Sequence, residues 1–428
     1  MKITRQIPKL ALTFLLAGLP GNAFVQNQTT RDAMVPANLD KMIHLAIERN
    51  PAIKAAESRY RAYATIPKQV STLPDPILGY TRWSSSVETR VGPQENVFAL
   101  SQRIPFPGKL GLKGKMAGQD AEAVQYGYDA TKRDVVFKIK STYADLYRID
   151  QSLAILDAYQ SLLRDFSTVA ATKYATGQGI QAQVLKADVE ISSISAKKLD
   201  FEKMRTGVVA RLNALTDMPA NSSIGIAAEI DTTRLRNDEQ ALTARALSKR
   251  QELLANQAMI EKAGYMRKLA KKNYWPDFNV QATYVTIPKV NDQFVDSGRD
   301  PFSVMVGLNL PIWFGKRSAA VEQAEETRAA QQLMYENLYN MVEAEIMDIV
   351  FQLKTIEETL LLYEQGLLIQ AESSLESATS AYKTGNLDFL NLLDAERMLL
   401  QLRLAYIGEQ ANHYKQIAAL ERAIGGNL

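Results

Sequence analysis

Tyr174-Ala175-Thr176-Gly177 and Tyr382-Lys383-Thr384-Gly385 are one phrase written twice. Glycine tolerates the left-handed backbone at a helix end, so Gly177 and Gly385 each read as a helix stop and a chain reversal. Downstream, Val184-Leu185-Lys186-Ala187-Asp188 lines up with Leu392-Leu393-Asp394-Ala395-Glu396 at the same spacing. Upstream, Pro74-Asp75 answers Pro276-Asp277, and Ile104-Pro105 with Gly108-Lys109 answers Leu310-Pro311 with Gly315-Lys316. The landmarks keep one order at an offset of a little over 200 residues, the signature of an internal duplication.

Each half then has the same grammar. A helical stretch over 39–72 or 238–273 comes first, followed by a β-hairpin over 76–104 or 277–310. A Pro/Gly turn leads into a long helix, 110–173 or 316–381, and beyond the Tyr-x-Thr-Gly turn lies a further helix, 180–215 or 387–424. The expected organisation is residues 1–23 as a signal peptide, 24–215 as the first structural repeat, 216–237 as an equatorial connector and 238–428 as the second repeat.

The long helices carry the strongest periodicity. Val342, Ile346, Ile349, Leu353, Ile356, Leu360, Tyr363 and Leu367 alternate steps of four and three, a heptad seam that packs as a left-handed coiled coil. Ile139, Tyr143, Leu146, Ile149, Leu153, Leu156, Tyr159, Leu163 and Phe166 keep a similar rhythm. About 65 helical residues span on the order of 100 Å, a length that a compact globule has no use for.

The β segments alternate. Val304, Val306, Leu308 and Leu310 share one face, as do Phe278, Val280, Ala282 and Tyr284; in 97–104 Gln102 interrupts Phe98, Leu100 and Ile104. Tyr80 and Trp83 suit an interfacial aromatic girdle, and the polar runs Glu88–Asn96 and Lys289–Asp300 read as loops. The same alternation also fits a half-buried soluble sheet. Four strands cannot close a barrel, so strands crossing a membrane require oligomerisation, and three copies would supply a twelve-stranded wall.

Composition narrows the classes. The net charge of +3 spread over 428 residues gives no clustered basic excess, so nucleic acid is not expected as a partner. With no cysteine, disulfides, thiol nucleophiles and zinc ribbons are excluded. Lys2, Arg5 and Lys9, the apolar run Leu10–Leu19 and Gly21-Asn22-Ala23 read as a secretory signal. His44 and His413 lack the helical partner that a metal site needs and are expected on the surface. Met334, Met341 and Met347 could suggest a soft-metal relay, although their spacing is equally that of helix packing. Glu343 and Glu345 read as solvated helix faces. Catalytic triads, phosphate-binding loops and metalloprotease helices are not found in the sequence, so no enzyme activity, cofactor or resident metal is expected.

Together with the duplicated plan, Leu73-Pro74-Asp75-Pro76, the phrase from Ser101 to Lys109 and the run from Tyr382 to Leu390 resemble the TolC outer-membrane efflux family. Ile-Pro-Phe-Pro-Gly-Lys at 104–109 further resembles its heavy-metal branch, which serves copper, cobalt, zinc or cadmium exporters. The resemblance implies an α+β membrane protein: a homotrimer whose long antiparallel coiled-coil helices form an α-barrel in the periplasm, topped by a twelve-stranded β-barrel with four strands per protomer. It implies a passive duct in the outer membrane of a Gram-negative bacterium, in contact with outer-membrane lipid, and working with a periplasmic adaptor and an inner-membrane pump of the RND type.

In the family an Asp-x-x-Asp-Ala pattern narrows the periplasmic end. Here it reads Asn391-Leu392-Leu393-Asp394-Ala395, so Asp394 matches, Asn391 departs and Asp388 is a candidate second ring. Asp394 could equally be a helix residue paired with a nearby lysine or arginine. The helix tips (Tyr174, Thr176, Gly177, Tyr382, Thr384 and Gly385) are the implied docking points for the adaptor. Two other readings stay open at this stage: a type I protein-secretion channel, and a periplasmic coiled-coil adaptor or scaffold.

Overall fold

The computed structural model describes residues 38–227, 229–235, 238–289 and 295–428; the expected signal segment 1–23 lies outside them. In chain order the elements are α1 (Leu39–Arg49), α2 (Pro51–Ser71), β1 (Ile77–Thr89), β2 (Gly92–Ile104), α3 (Lys109–Ala175), α4 (Gln181–Leu215), α5 (Glu239–Lys249), α6 (Gln251–Lys272), β3 (Phe278–Thr286), β4 (Phe302–Leu308), α7 (Phe314–Leu362), α8 (Leu368–Lys383) and α9 (Phe389–Ala423). One π-helical turn, Tyr363–Leu367, joins α7 to α8.

The two helical stretches expected over 39–72 and 238–273 are each broken once, and at matching places. At the first break Asn50 caps α2 by accepting from Ala52 N (2.9 Å), with Pro51 at the first helical position, where a missing N–H costs nothing. Its amide also donates to the Leu215 carbonyl at 2.8 Å, fixing α2 against the end of α4. At the second break Arg250 stands in place of the asparagine and reaches Glu345 on α7 at 2.6 Å. The buried residues around the breaks correspond as well: Met42 with Leu242, Ala46 with Ala246, Ile53 with Leu253.

Gly108, at φ 88°, turns the chain into α3, whose 67 residues span on the order of 100 Å. Both heptad stripes are buried where they meet neighbouring helices. Ile139, Leu146 and Ile149 form a core with α1, α2, α4 and the connector, while Leu156, Leu163 and Phe166 join residues of α4, α8 and α9. Val342, Ile346 and Leu353 pack on α5, α6 and the end of α9. The π turn contains Gly366 and inserts one residue into the helix, shifting the stripe between α7 and α8.

Both Tyr-x-Thr-Gly turns end their helices alike. Gly177 and Gly385 take φ of 73° and 79°. Gln178 N donates to Lys173 O and Gly177 N to Tyr174 O; Asn386 N and Gly385 N do the same to Ala381 O and Tyr382 O. This is the Schellman arrangement, which satisfies carbonyls left over at a helix C-terminus.

The strands form one antiparallel sheet in the order β1-β2-β3-β4, so the two hairpins meet at β2 and β3. The polar run 88–96, expected as a loop, is mostly strand: Thr89 pairs with Gly92, and only Arg90 and Val91 make the turn. Backbone pairing does not need apolar side chains, so the ladder continues past the alternating segment. Gly298 N donates to Val91 O at 2.8 Å, joining the ends of the two hairpins.

Burial overturns two surface expectations. His413 is fully buried, with Nε2 3.3 Å from Glu357 Oε1, whereas His44 is exposed. Glu345 is an ion-pair hub rather than a solvated face, taking Arg250 at 2.6 Å and Arg422 at 3.9 Å. A third group has consequences for stability. Glu396 on α9 is 2% exposed, and its Oε1 lacks a hydrogen-bond partner. Burial pushes its pKa up to about 7, against an opposing pull from Arg403. The unfolded chain releases this proton near pH 4.5, while the folded chain keeps it to about pH 7. Stability therefore falls as pH rises through that window, by on the order of 3 kcal/mol. Glu396→Gln keeps the shape without the ionisation, so it should raise Tm by several degrees at pH 8 and leave it unchanged at pH 4. An equal rise at both values would contradict this origin.

Candidate functional site

The sheet has two chemically distinct faces, and its registers show them row by row. Leu78, Leu100, Ala282 and Val304 lie opposite one another across all four strands. The next row is wholly aromatic: Tyr80, Phe98, Tyr284 and Phe302. In the other direction come Val280 with Val306, then Ile104 with Phe278 and Leu308. Most of these side chains are exposed. The opposite face carries Gly79, Thr81, Ala99, Ser101, Asn279, Gln281, Thr283, Ser303 and Gly307, small or polar residues apart from Ile77, Val97, Val285 and Met305.

Gln102, the polar residue among these apolar rows, is satisfied locally, and a polar row of Arg82, Asn96 and Thr286 ends the face at the loop side. Gln102 donates to the carbonyls of Pro74 (2.8 Å) and Arg103 (2.9 Å), so both amide N–H groups are used. In the aromatic row, Tyr80 donates to Asn96 at 2.8 Å and Tyr284 donates to Asp300, which puts rings on the apolar band and hydroxyls toward the polar loop end. At the other end of the strands Trp275 and Trp313 are exposed, and Phe106 stacks on Trp275 at 5.1 Å. An apolar band between two aromatic levels is the surface that hydrocarbon with two headgroup layers selects. Among the described residues no helix is long and apolar enough to cross a membrane.

The helix tips at the other end of α3 and α8 differ from each other despite their shared backbone. Tyr174 is 49% exposed, whereas Tyr382 is 4% exposed, packed on Phe389 at 5.7 Å in the core between the helices. Lys173 ties the two tips together: its ammonium donates to the Tyr382 carbonyl at 2.7 Å and lies 4.1 Å from the centre of that ring. Thr176, Gly177, Thr384 and Gly385 are exposed.

The expected gate residues sit just beyond this tip. Asp388 is the N-cap of α9, accepting from Leu390 N at 3.4 Å and from Gln183 of α4 at 3.2 Å. Those bonds give it a helix-capping role, which Asp immediately before an apolar helix start could have announced. Asn391 and Asp394 share an exposed face of α9, and the Asp394 side chain is 72% exposed. Among the described residues its one cation is Arg397 at 3.7 Å, itself held by Glu190 on α4 at 2.5 Å. The residue that sequence reasoning passed over is Lys186, which the duplication aligns with Asp394; it is exposed on α4 and makes no ion pair among the described residues. Met334, Met341 and Met347 are exposed on α7, and at roughly 100° per residue the third falls off the stripe of the first two. Among the described residues no group of three or more His, Asp or Glu side chains is placed to hold a metal.

The face assignment has a direct consequence. Val304→Arg puts a charge on the apolar face and should cost about 2–4 kcal/mol against lipid, seen as loss of membrane-extracted, folded protein. Met305→Arg, one residue on and on the other face, should leave the yield near normal. Equal losses would contradict the assignment.

Residues 242–426 match the model of the family described as outer membrane efflux protein. The chain is 21% identical to the cobalt-zinc-cadmium resistance protein CzcC of Cupriavidus metallidurans, over 97% of this chain and 98% of that protein. It is also 21% identical to the outer membrane protein TolC of Vibrio cholerae, over 93% of this chain and 92% of that one. The fold is that of solved outer-membrane proteins: VceC from Vibrio cholerae superimposes with a TM-score of 0.75 at 21% identity, covering 91% of this chain and 96% of that one. The transmembrane channel protein CusC gives 0.78 at 15% identity over 94% and 96%. The second half of the chain thus matches the outer membrane efflux protein family, and nearly the whole chain shares the fold of solved outer-membrane channel proteins.

Proposed function

We propose that three copies of this chain form the passive exit duct of a tripartite efflux system in the outer membrane of a Gram-negative bacterium. The observation that carries the reading is the sheet: its exposed apolar face fits lipid, while β1 and β4 leave their outer edges unpaired within the chain. A strand edge cannot stay open in hydrocarbon, because each unpaired backbone group costs several kcal/mol there. Closure by three copies gives twelve strands with a polar bore.

Energy for transport enters elsewhere, since the duct itself supplies no chemistry. The partners proposed are a periplasmic adaptor, docking at the exposed tips Tyr174, Thr176, Gly177, Thr384 and Gly385, and an inner-membrane pump of the RND type. Tyr382 supports the tip from inside rather than meeting the adaptor. The cargo proposed is small toxic solutes, heavy-metal cations among them; the likeness to a cobalt-zinc-cadmium resistance protein along 97% of the chain supports that branch.

Asp394 and Asn391 line the proposed periplasmic constriction, with Asp388 holding the start of α9 in place. Around the threefold axis the three Asp394 carboxylates alternate with three Lys186 ammoniums, so the ring carries both signs. Charge at a narrow mouth sets ion preference. Asp394→Ala should raise single-channel conductance or lower cation preference in planar bilayers, and Lys186→Ala should shift the preference the opposite way. Unchanged conductance and selectivity in both variants would remove the gate from this site. A well-folded protein that forms no channels in any variant would contradict the duct.

A further inference from the structure

Where the sheet meets the helices, the second half of the chain is held to the first by one buried ionic joint. Asp277, just before β3, receives Lys109 of α3 at 2.8 Å, Arg103 of β2 at 3.0 Å and the Phe106 backbone N–H at 2.9 Å. Lys109 is buried and also donates to the Trp275 carbonyl at 2.8 Å. Phe106 stacks on Trp275 beside it. The joint thus runs from the end of the first hairpin to the start of the second.

The duplication supplies a second copy of every main part of this joint, and in the single chain those parts are unused. Asp75 corresponds to Asp277, Lys316 to Lys109, Leu73 to Trp275 and Ile312 to Phe106. All four counterparts are exposed. Among the described residues neither Asp75 nor Lys316 has a hydrogen-bond or ion-pair partner. They lie on opposite outer edges, Asp75 ahead of β1 and Lys316 after β4. Within one chain the joint spans two neighbouring strands, so the second copy can close only where β4 meets β1 of another copy.

We propose that Lys316 of each protomer pairs with Asp75 of the next, repeating between chains the joint that Lys109 and Asp277 make within one. The strand registers agree independently. Ile104 lies opposite Phe278 at the β2–β3 seam. Carried over by the motif correspondence, this places Leu308 opposite Leu78 and Val306 opposite Tyr80 of the next protomer. All four belong to the apolar face, whereas a slip of one residue would set apolar against polar side chains. The intersubunit joint is the thinner of the two. The counterpart of Arg103 is Asn309, whose side chain accepts from the Asp277 N–H of its own chain, so Asp75 receives Lys316 without a second cation.

This inference rests on the trimeric duct, and the test separates the two. The chain has no cysteine, so Asp75→Cys with Lys316→Cys introduces the only thiols. Treated with a short bismaleimide in detergent, the double variant should pass mostly into dimer and trimer bands on denaturing gels, and either single variant should not. Monomer bands alone, from protein that elutes as a trimer, would overturn the pairing and leave the duct standing. Asp75 would then belong with Lys113, which lines the same groove of its own chain. Protein that does not elute as a trimer would overturn both. Charge reversal gives a second readout without new thiols. Asp75→Lys or Lys316→Asp alone should lower the temperature at which the trimer dissociates, and the two together should restore it; failure of the double reversal to recover would overturn the pairing.

Discussion

The structure depends on a requirement of the peptide backbone: in hydrocarbon every N–H and C=O must find a partner within the protein. Among the described residues this chain brings four strands, which pair three times and leave two edges open. In the proposed trimer the wall needs a threefold support, which the 67-residue α3 and the α7–α8 run continue away from the sheet. The apolar face of the sheet is the complement of the same requirement, since a ladder that satisfies its own hydrogen bonds can present bare hydrocarbon outward.

Duplication gives one chain two of the six units of the proposed trimer, and the structure shows where the two have diverged. The backbone is held in common: the matched breaks at Asn50 and Arg250, and the Schellman turns at Gly177 and Gly385. The side chains are not. Tyr382 is buried where Tyr174 is exposed, Lys186 stands where the other half has Asp394, and Asn309 where the first has Arg103. Positions that close a helix stay alike while these side chains differ, so in the proposed trimer each protomer has one kind of seam within it and another at its border.

Much of this was legible before any coordinates. The heptad stripes, the helix-stopping glycines and the alternating strands are local patterns, and periodicity reports them directly. The break at Asn50 was legible in principle from Asn50-Pro51, whereas Arg250 and Gln251 carry no such mark. The turn at Arg90-Val91 was hidden because neither residue is a turn former and the nearest turn signal, Gly92-Pro93, opens β2 instead. Burial of Glu396 and His413 depends on which helix packs over which, information that a single amphipathic stripe does not hold. At the tip, the residues expected to act together were near one another, but Asp388 turned out to be committed to a cap, and Lys186 was visible only through the repeat alignment.

The most direct test of the account is the number of chains in the conducting species, measured by native mass spectrometry of protein released from detergent micelles after channel activity has been recorded on the same preparation. The account predicts three chains and twelve strands. A single chain or a pair that conducts would contradict it, because four or eight strands of this sheet would then have closed the wall without the third copy.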